Sequence, residues 1–550
     1  MQELLDKGLI EYERWLEETS DDLYMQHELM ELKGNKEEIA NCFCTELKFG
    51  TSGIRGIMGP GPGRLNIYVI RKITQGFANY LKTLKRPISI VIAYDGRRFS
   101  KVFAEETAAV LSGNGIKTFI FDEITPVPVL SYSISKLECD YGIVITASHN
   151  ACIFNGYKVY NADGYQLVGE ETELIIGEIE KCDFFSGIRR KSEEVITIDD
   201  SIHNEYLGDA LRLTGGLVKN SPPTLKIVYT PLNGAGNKLT RKLLDGLGFP
   251  NVYVVPSQEN QDENFTTCKA PNPERLTAYN EAFKVLDETD SDIIIATDPD
   301  SDRVGAALIH NGTKRLLTGN QLGILMLDHL VEERPPKGNQ NCYRSIVSTP
   351  LFDRIAESSG LNVTTTLTGF KYIGEAIAEM MHEGREEEFY FGFEESNGFL
   401  ISPFIRDKDG ITSAAVIAAM AAKQKARGMD LIDHLEEIYA DYGLLLDRSR
   451  SFTFEGLAGQ ETMSEIMDYI RGLNDNIGEL YIEDKTDYLY DDTGLPLADV
   501  VRFDMDDGST LIIRPSGTEP KVKVYMFLSD PVSPIDREIV KIFEQFKQEQ

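Results

Sequence analysis

The 550-residue chain is poor in tryptophan, histidine and cysteine, with one, seven and seven residues, and it is short of positive charge. Its cysteines, Cys42, Cys44, Cys139, Cys152, Cys182, Cys268 and Cys342, are odd in number, scattered and without C-x-x-C spacing. That excludes a disulfide scaffold and gives no zinc or dithiol motif, so a reduced, cytoplasmic protein is expected. Lys and Arg number 56 against 88 Asp and Glu, a formal net charge of −32. Nucleic acid and anionic membranes both need a basic face, and neither is expected as a partner. No apolar run reaches membrane-spanning length, since even 143–154 is broken by Ser148, His149 and Asn150. The N-terminus has no basic-then-apolar layout of a secretion signal.

What is present is ordinary globular material, 42% apolar and 26% charged, in a chain too long for one core. Its organising stretch is Thr146-Ala147-Ser148-His149-Asn150, at the end of the apolar run Tyr141-Gly142-Ile143-Val144-Ile145. A short β-branched run ending in small polar residues reads as a buried strand that delivers a loop to the carboxyl edge of a sheet, where α/β proteins bind ligands. Ser148 is the candidate nucleophile, with His149 and Lys158 at hand to activate it. A lone Ser-His pair could equally be a polar strand-end loop, and other motifs decide the matter.

The loop Phe49-Gly50-Thr51-Ser52-Gly53-Ile54-Arg55-Gly56 offers open backbone N–H groups and an arginine suited to phosphate. The buried strand 292–296 leads into Thr297-Asp298-Pro299-Asp300-Ser301-Asp302-Arg303. Three carboxylates at alternate positions repel one another unless a cation sits among them, and all-oxygen ligands favour Mg²⁺. Counted from Asp298, Arg303 and Ile309 occupy the sixth and twelfth places, where an EF-hand needs Gly and Glu. Two loops come from a third block, Thr366-Leu367-Thr368-Gly369-Phe370-Lys371 and the stretch with Glu394, Glu395 and Ser396. The second could receive sugar hydroxyls or be a solvated acidic turn. Near the C-terminus, Arg514-Pro515-Ser516-Gly517-Thr518-Glu519-Pro520-Lys521 has the donors of a phosphate cradle but lacks the nucleotide P-loop pattern. A sugar phosphate is therefore favoured over ATP.

Strand and helix patterns alternate in three blocks, with strands expected at 88–94, 141–145, 225–229, 292–296 and 345–348. Asn66 is expected to cap a helix bearing Val69, Ile73, Phe77 and Leu81 on one face, and Ser100 to cap the next. A Thr-Pro step in each block, at 125, 230 and 349, is a faint internal echo. The expected fold is α/β: three related mixed α/β domains plus a smaller C-terminal α+β domain. Expected boundaries are 1–40 for a helical arm with Trp15, then 41–208, 209–325, 326–448 and 449–550.

Taken together, T-A-S-H-N, D-P-D-S-D-R, the paired glutamates with serine and R-P-S-G-T resemble, in order, the motifs of the α-D-phosphohexomutase superfamily, the phosphoglucomutases and phosphomannomutases. The resemblance spans about 45–528. Phe393, with F-G-T-S-G-I-R-G and T-L-T-G-F-K, resembles the branch of bacterial α-phosphoglucomutases and phosphopentomutase-type proteins. It implies four domains around a central cleft, Ser148 carried as a phosphoserine, and Mg²⁺ held by Ser148, Asp298, Asp300 and Asp302. It places Arg55, His149, Lys158 and Lys371 among charge-stabilising or proton-transferring groups, and Glu394, Glu395 and Ser396 on the sugar. Arg514, Ser516, Gly517, Thr518 and Lys521 would hold the distal phosphate, with Thr51, Ser52, Arg303 and Gly369 also lining the substrate. The implied reaction interconverts glucose 1-phosphate and glucose 6-phosphate through glucose 1,6-bisphosphate, with mannose or pentose phosphates as alternatives, in a monomer or homodimer. A metal-dependent sugar-phosphate phosphatase would need no second phosphate cradle, and a non-catalytic sensor would not need Ser148 and all three aspartates.

Overall fold

A computed structural model describes residues 2–50, 53–218, 224–454, 457–516 and 521–548. Among them no helix is long and apolar enough to cross a membrane. The apolar runs form the buried strands of three mixed sheets, each flanked by amphipathic helices, and a fourth sheet is antiparallel throughout.

The first three sheets share one plan. In the first, Ser89–Tyr94 pairs in parallel with Lys117–Phe121 on one side and Tyr141–Ile145 on the other, and Phe154–Tyr160 returns antiparallel beside Tyr141–Ile145. The second repeats this order with Lys226–Thr230, Asn251–Val254, Ile293–Thr297 and Val304–His310. The third repeats it with Asn341–Ser345, Asn362–Thr366, Phe389–Glu394 and Gly398–Leu400. In every case the third strand reverses into an antiparallel neighbour. The three reversals hold Thr146 to Asn150, Asp298 to Arg303, and Glu395 to Asn397. The fourth domain packs helices Leu457–Gly472 and Ile535–Gln548 against its sheet, over a core that includes Ile466, Phe503, Val524 and Phe543.

Several expectations shift. The expected cuts at 40, 208, 325 and 448 fall inside helices Lys36–Phe43, Ser201–Gly215 and Gly319–Glu333 and strand Leu446–Thr453. The third block's first strand is Asn341–Ser345, and 346–349 form the turn after it, where polar Ser348 and Thr349 can be satisfied. The Thr-Pro echo is not structurally equivalent: Thr230 ends strand Lys226–Thr230 and Thr349 comes shortly after Asn341–Ser345, the corresponding strands of their sheets, whereas Thr125 comes after Lys117–Phe121, the next strand along in its sheet. Asn66 caps helix Ile67–Thr83, accepting from the N–H groups of Tyr68 and Val69. Ser100 is no cap. It begins helix Ser100–Gly113 and donates its hydroxyl to Asp95 at 2.6 Å.

The N-terminal helical arm packs into the core of the first domain. Trp15 is fully buried and meets Phe43, Tyr68, Phe184 and Phe185 with ring centroids 5.2–5.9 Å apart, which welds helix Gln2–Glu18 to the first domain. Trp15→Ala is expected to lower stability by about 3–5 kcal/mol, because the surrounding rings cannot close so large a void. Urea unfolding followed by circular dichroism checks this.

Candidate active site

Ser148 stands at the first reversal with φ +51°, a left-handed conformation that costs a non-glycine residue energy and is held by its surroundings. Its N–H donates to Thr146 Oγ1 at 2.8 Å, and Thr146 Oγ1 lies 2.7 Å from Asp95 Oδ2. The other restraint is Arg97. Its guanidinium donates to the carbonyls of Asn150 (2.6 Å), Ala151 (3.0 Å), Phe154 (3.3 Å) and Ser148, while pairing with Asp95, both side chains being fully buried. Four carbonyls gathered on one planar cation fix the loop's shape.

The Ser148 hydroxyl donates to Asp298 Oδ2 at 2.6 Å and lies 3.2 Å from His149 Nδ1. Burial first, then Arg303, Arg55, Arg97 and Lys158, push the His149 pKa well down, so its ring is neutral. Asp298, Asp300 and Asp302 are buried, with one carboxylate oxygen of each within 4.8 Å of the others. Lys158 Nζ lies 3.0 Å from Asp300 Oδ2 and 3.9 Å from Asp302 Oδ2. Lys408 Nζ lies 3.3 Å from Asp302 Oδ2 and 2.9 Å from Asp407 Oδ1. Burial, with Asp300 and Asp302 adding to it, pushes Asp298 well above the usual carboxylate range. Asp300 sits below that range because Lys158 overcomes its burial. Asp300 Oδ1 and Asp302 Oδ1 are buried without hydrogen-bond partners. Two orphaned oxygens in a trio with excess negative charge fit a hard divalent cation.

The second and third reversals are stitched together. Arg303 N–H donates to Asp298 Oδ1 at 3.1 Å, its guanidinium to Ser396 O at 3.2 Å and to Glu274 Oε1 at 2.9 Å, and Val304 N–H to Asn397 O at 3.1 Å. Glu394 Oε1 accepts from Gly369 N–H at 2.6 Å, and Glu395 Oε2 from Ser345 Oγ at 3.1 Å. Burial, reinforced by Glu394, pushes the Glu395 carboxyl up to about 7. Lys523, on strand Lys521–Leu528 of the fourth domain, is a counter-charge acting on Glu395. Phe393 does not reach the cleft. It stacks on Phe391 and Phe399 and meets Phe352 at 4.6 Å, over Gly323, where any β-carbon would strike its ring.

Of the remaining expected residues, Arg55 is exposed and donates to Asn150 Oδ1 at 3.0 Å. Lys371 is half-buried on the first turn of helix Phe370–His382, with its ammonium 5.2 Å from the Tyr372 ring and Glu375 as a nearby charge. Arg514, near the end of strand Thr510–Pro515, pairs with Lys523, and Ser516 N–H donates to Lys521 O at 2.8 Å. Thr51, Ser52, Gly517 and Thr518 lie outside the described residues. Sequence reasoning assigned no site role to Arg97, Lys408 or Lys523. Arg97 and Lys408 sit in charged runs at element ends, a usable signal, whereas Lys523 alternates with valines in an unremarkable strand.

A serine hydroxyl pressed against clustered carboxylates and ringed by cations is a setting for phosphoryl transfer, in which positioning and charge neutralisation do most of the work. Family models described as phosphoglucomutase/phosphomannomutase alpha/beta/alpha domains I, II and III and the C-terminal domain match residues 46–186, 205–311, 318–442 and 467–526. The chain belongs to this family. A phosphoglucomutase of Staphylococcus haemolyticus is 37% identical over 507 residues, covering 88% of this chain and 91% of the relative. One of Staphylococcus aureus (strain USA300) is 34% identical over 537 residues, covering 94% and 96%. The crystal structure of a putative phosphomannomutase from Thermus thermophilus shares the fold, with a TM-score of 0.68 at 21% identity over 92% of this chain and 99% of that one.

Arg97→Ala is expected to cost about 3–5 kcal/mol, since it strands the buried Asp95 charge and four carbonyls, and chemical denaturation measures it. Glu395 gives a pH signature. Its carboxyl keeps a proton up to about 7 when folded, against 4.5 otherwise, so its contribution to stability is present at low pH and lost as pH rises through 7. In thermal scans the melting temperature of Glu395→Gln should therefore rise relative to the parent protein, and the gap should widen between about pH 5 and about pH 8.

Proposed function

We propose that this enzyme interconverts glucose 1-phosphate and glucose 6-phosphate in the cytoplasm, with Ser148 as the phosphoryl carrier. The observation that carries the proposal is the Ser148 hydroxyl 2.6 Å from Asp298, inside a carboxylate trio that draws its counter-charges from Lys158 and Lys408. Curated relatives named phosphoglucomutase, at 34–37% identity, support the choice of sugar.

Ser148, as a phosphoserine, gives its phosphoryl group to a free hydroxyl of the hexose monophosphate. The resulting glucose 1,6-bisphosphate turns round, and its other phosphate returns to Ser148. Bound by Ser148, Asp298, Asp300 and Asp302, Mg²⁺ would offset charge on the transferring group. Lys158 and the neutral His149 ring manage the charge and the proton at the serine. Arg55 serves from the rim of the serine loop, and Lys371 from the sugar side, close in the chain to Gly369. Glu394, Glu395 and Ser396 receive the sugar hydroxyls, with Gly369 and Arg303 shaping that loop. Arg514, Ser516, Gly517, Thr518 and Lys521 hold the phosphate that is not reacting, and Thr51 and Ser52 complete the phosphate-binding wall. An acidic body around a cationic pocket favours a small phosphorylated ligand over any polymer.

With glucose 1-phosphate, Mg²⁺ and a trace of glucose 1,6-bisphosphate, the protein should produce glucose 6-phosphate faster than it converts mannose or ribose phosphates. Ser148→Ala should lose ~10³-fold or more of the rate, and chelation of the divalent cation should stop turnover reversibly. Steady release of inorganic phosphate without isomerisation would instead make the protein a phosphatase.

A further inference from the structure

Outside the Ser148 centre, a second group of metal-capable side chains lies at the seam between the first and second domains. Glu123 follows strand Lys117–Phe121, and Asp200 and His203 open helix Ser201–Gly215. One ligand atom from each lies within 4.8 Å of the others, and all three line a cavity of about 420 Å³.

His203 distinguishes this group from an ordinary acidic turn. The residue is 6% exposed, and its Nδ1 is buried without a hydrogen-bond partner. Its Nε2 lies 3.2 Å from Thr125 Oγ1, and that hydroxyl donates its own proton to Glu123 O at 3.0 Å. Thr125 can then only accept from His203. Nε2 therefore carries the ring proton and Nδ1 keeps a lone pair, the tautomer of an imidazole ligand oriented by an outer hydrogen bond. Asp200 occupies the helix N-cap position yet makes no capping hydrogen bond, and Asp122 and Asp199 line a second cavity together with Glu123 and Asp200. Against these carboxylates stands the ammonium of Lys238, paired with Glu123. By contrast, in the cluster of His310, Asp430 and Asp433 both ring nitrogens are hydrogen-bonded and the aspartates form a capping box.

We propose that His203 Nδ1, Glu123 and Asp200 form a second metal site, which takes one borderline divalent transition-metal cation such as Zn²⁺. One imidazole with two carboxylates suits Zn²⁺, whereas the all-oxygen aspartate loop suits Mg²⁺, so the two sites sort ions by ligand chemistry. Binding transfers the Glu123 carboxylate from Lys238 to the cation. Lys238 belongs to helix Asn237–Gly246 of the second domain, so the ion replaces a salt bridge across the domain seam.

The test is a calorimetric titration of Zn²⁺ into the full chain in excess Mg²⁺, which occupies the aspartate loop. One equivalent is expected to bind. Asp200 is exposed, so Asp200→Asn leaves the fold intact and should weaken binding by about tenfold or more. His203→Gln should abolish the site, and Asp298→Asn should leave it unchanged. Co²⁺ in place of Zn²⁺ should give a visible absorption band that His203→Gln removes. Absence of Zn²⁺ binding would overturn the proposal. So would equal affinity in the parent and Asp200→Asn, or binding that survives in His203→Gln and vanishes in Asp298→Asn.

Discussion

The molecule is arranged around one electrostatic problem, three carboxylates buried together at Asp298, Asp300 and Asp302. Like charges out of water are tolerated only with counter-charges close by. Here those come from elsewhere in the chain, Lys158 from the first domain and Lys408 from the third, while Arg303 of the same loop reaches the third domain's Ser396. The charge balance is thus also an assembly device. No single domain completes it, and Ser148 meets Asp298 only when the first two domains are in register.

The repeated sheet plan supplies the means. A third strand that reverses into an antiparallel neighbour puts a tight loop at the same sheet edge in each of three domains, and those edges converge. Position alone then brings serine, aspartates and paired glutamates together, and each loop needs only its own chemistry. The cost of a tight loop is visible at Ser148 and Ser301, both at positive φ, and at the first it is offset by the Arg97 clamp on the loop carbonyls. A clamp of this kind keeps a nucleophile from relaxing out of position.

Part of this was legible in the chain. Strand runs ending in T-A-S-H-N and D-P-D-S-D-R identify their loops because apolar periodicity and ligand chemistry sit side by side. The cap at Asn66 was readable for the same local reason. Other features were not. Ser100 looks like a cap, but its hydroxyl is claimed by Asp95, five residues earlier in the chain. Trp15 reads only as one residue of a helical arm until Phe184 and Phe185, about 170 residues away, are folded onto it.

By itself, then, the amino-acid sequence determined most of the strands it announced, and which loops have the chemistry of a nucleophile, of metal-capable carboxylates and of phosphate-binding donors. These depend on neighbours a few residues apart. Tertiary structure alone decided that Lys408 serves Asp302, that Arg97 holds the Ser148 loop, and that Lys523 answers Glu395. A buried charge has no periodicity and no motif of its own. Its partner is chosen by how separate sheets pack, and only their packing shows which cation stands beside which carboxylate.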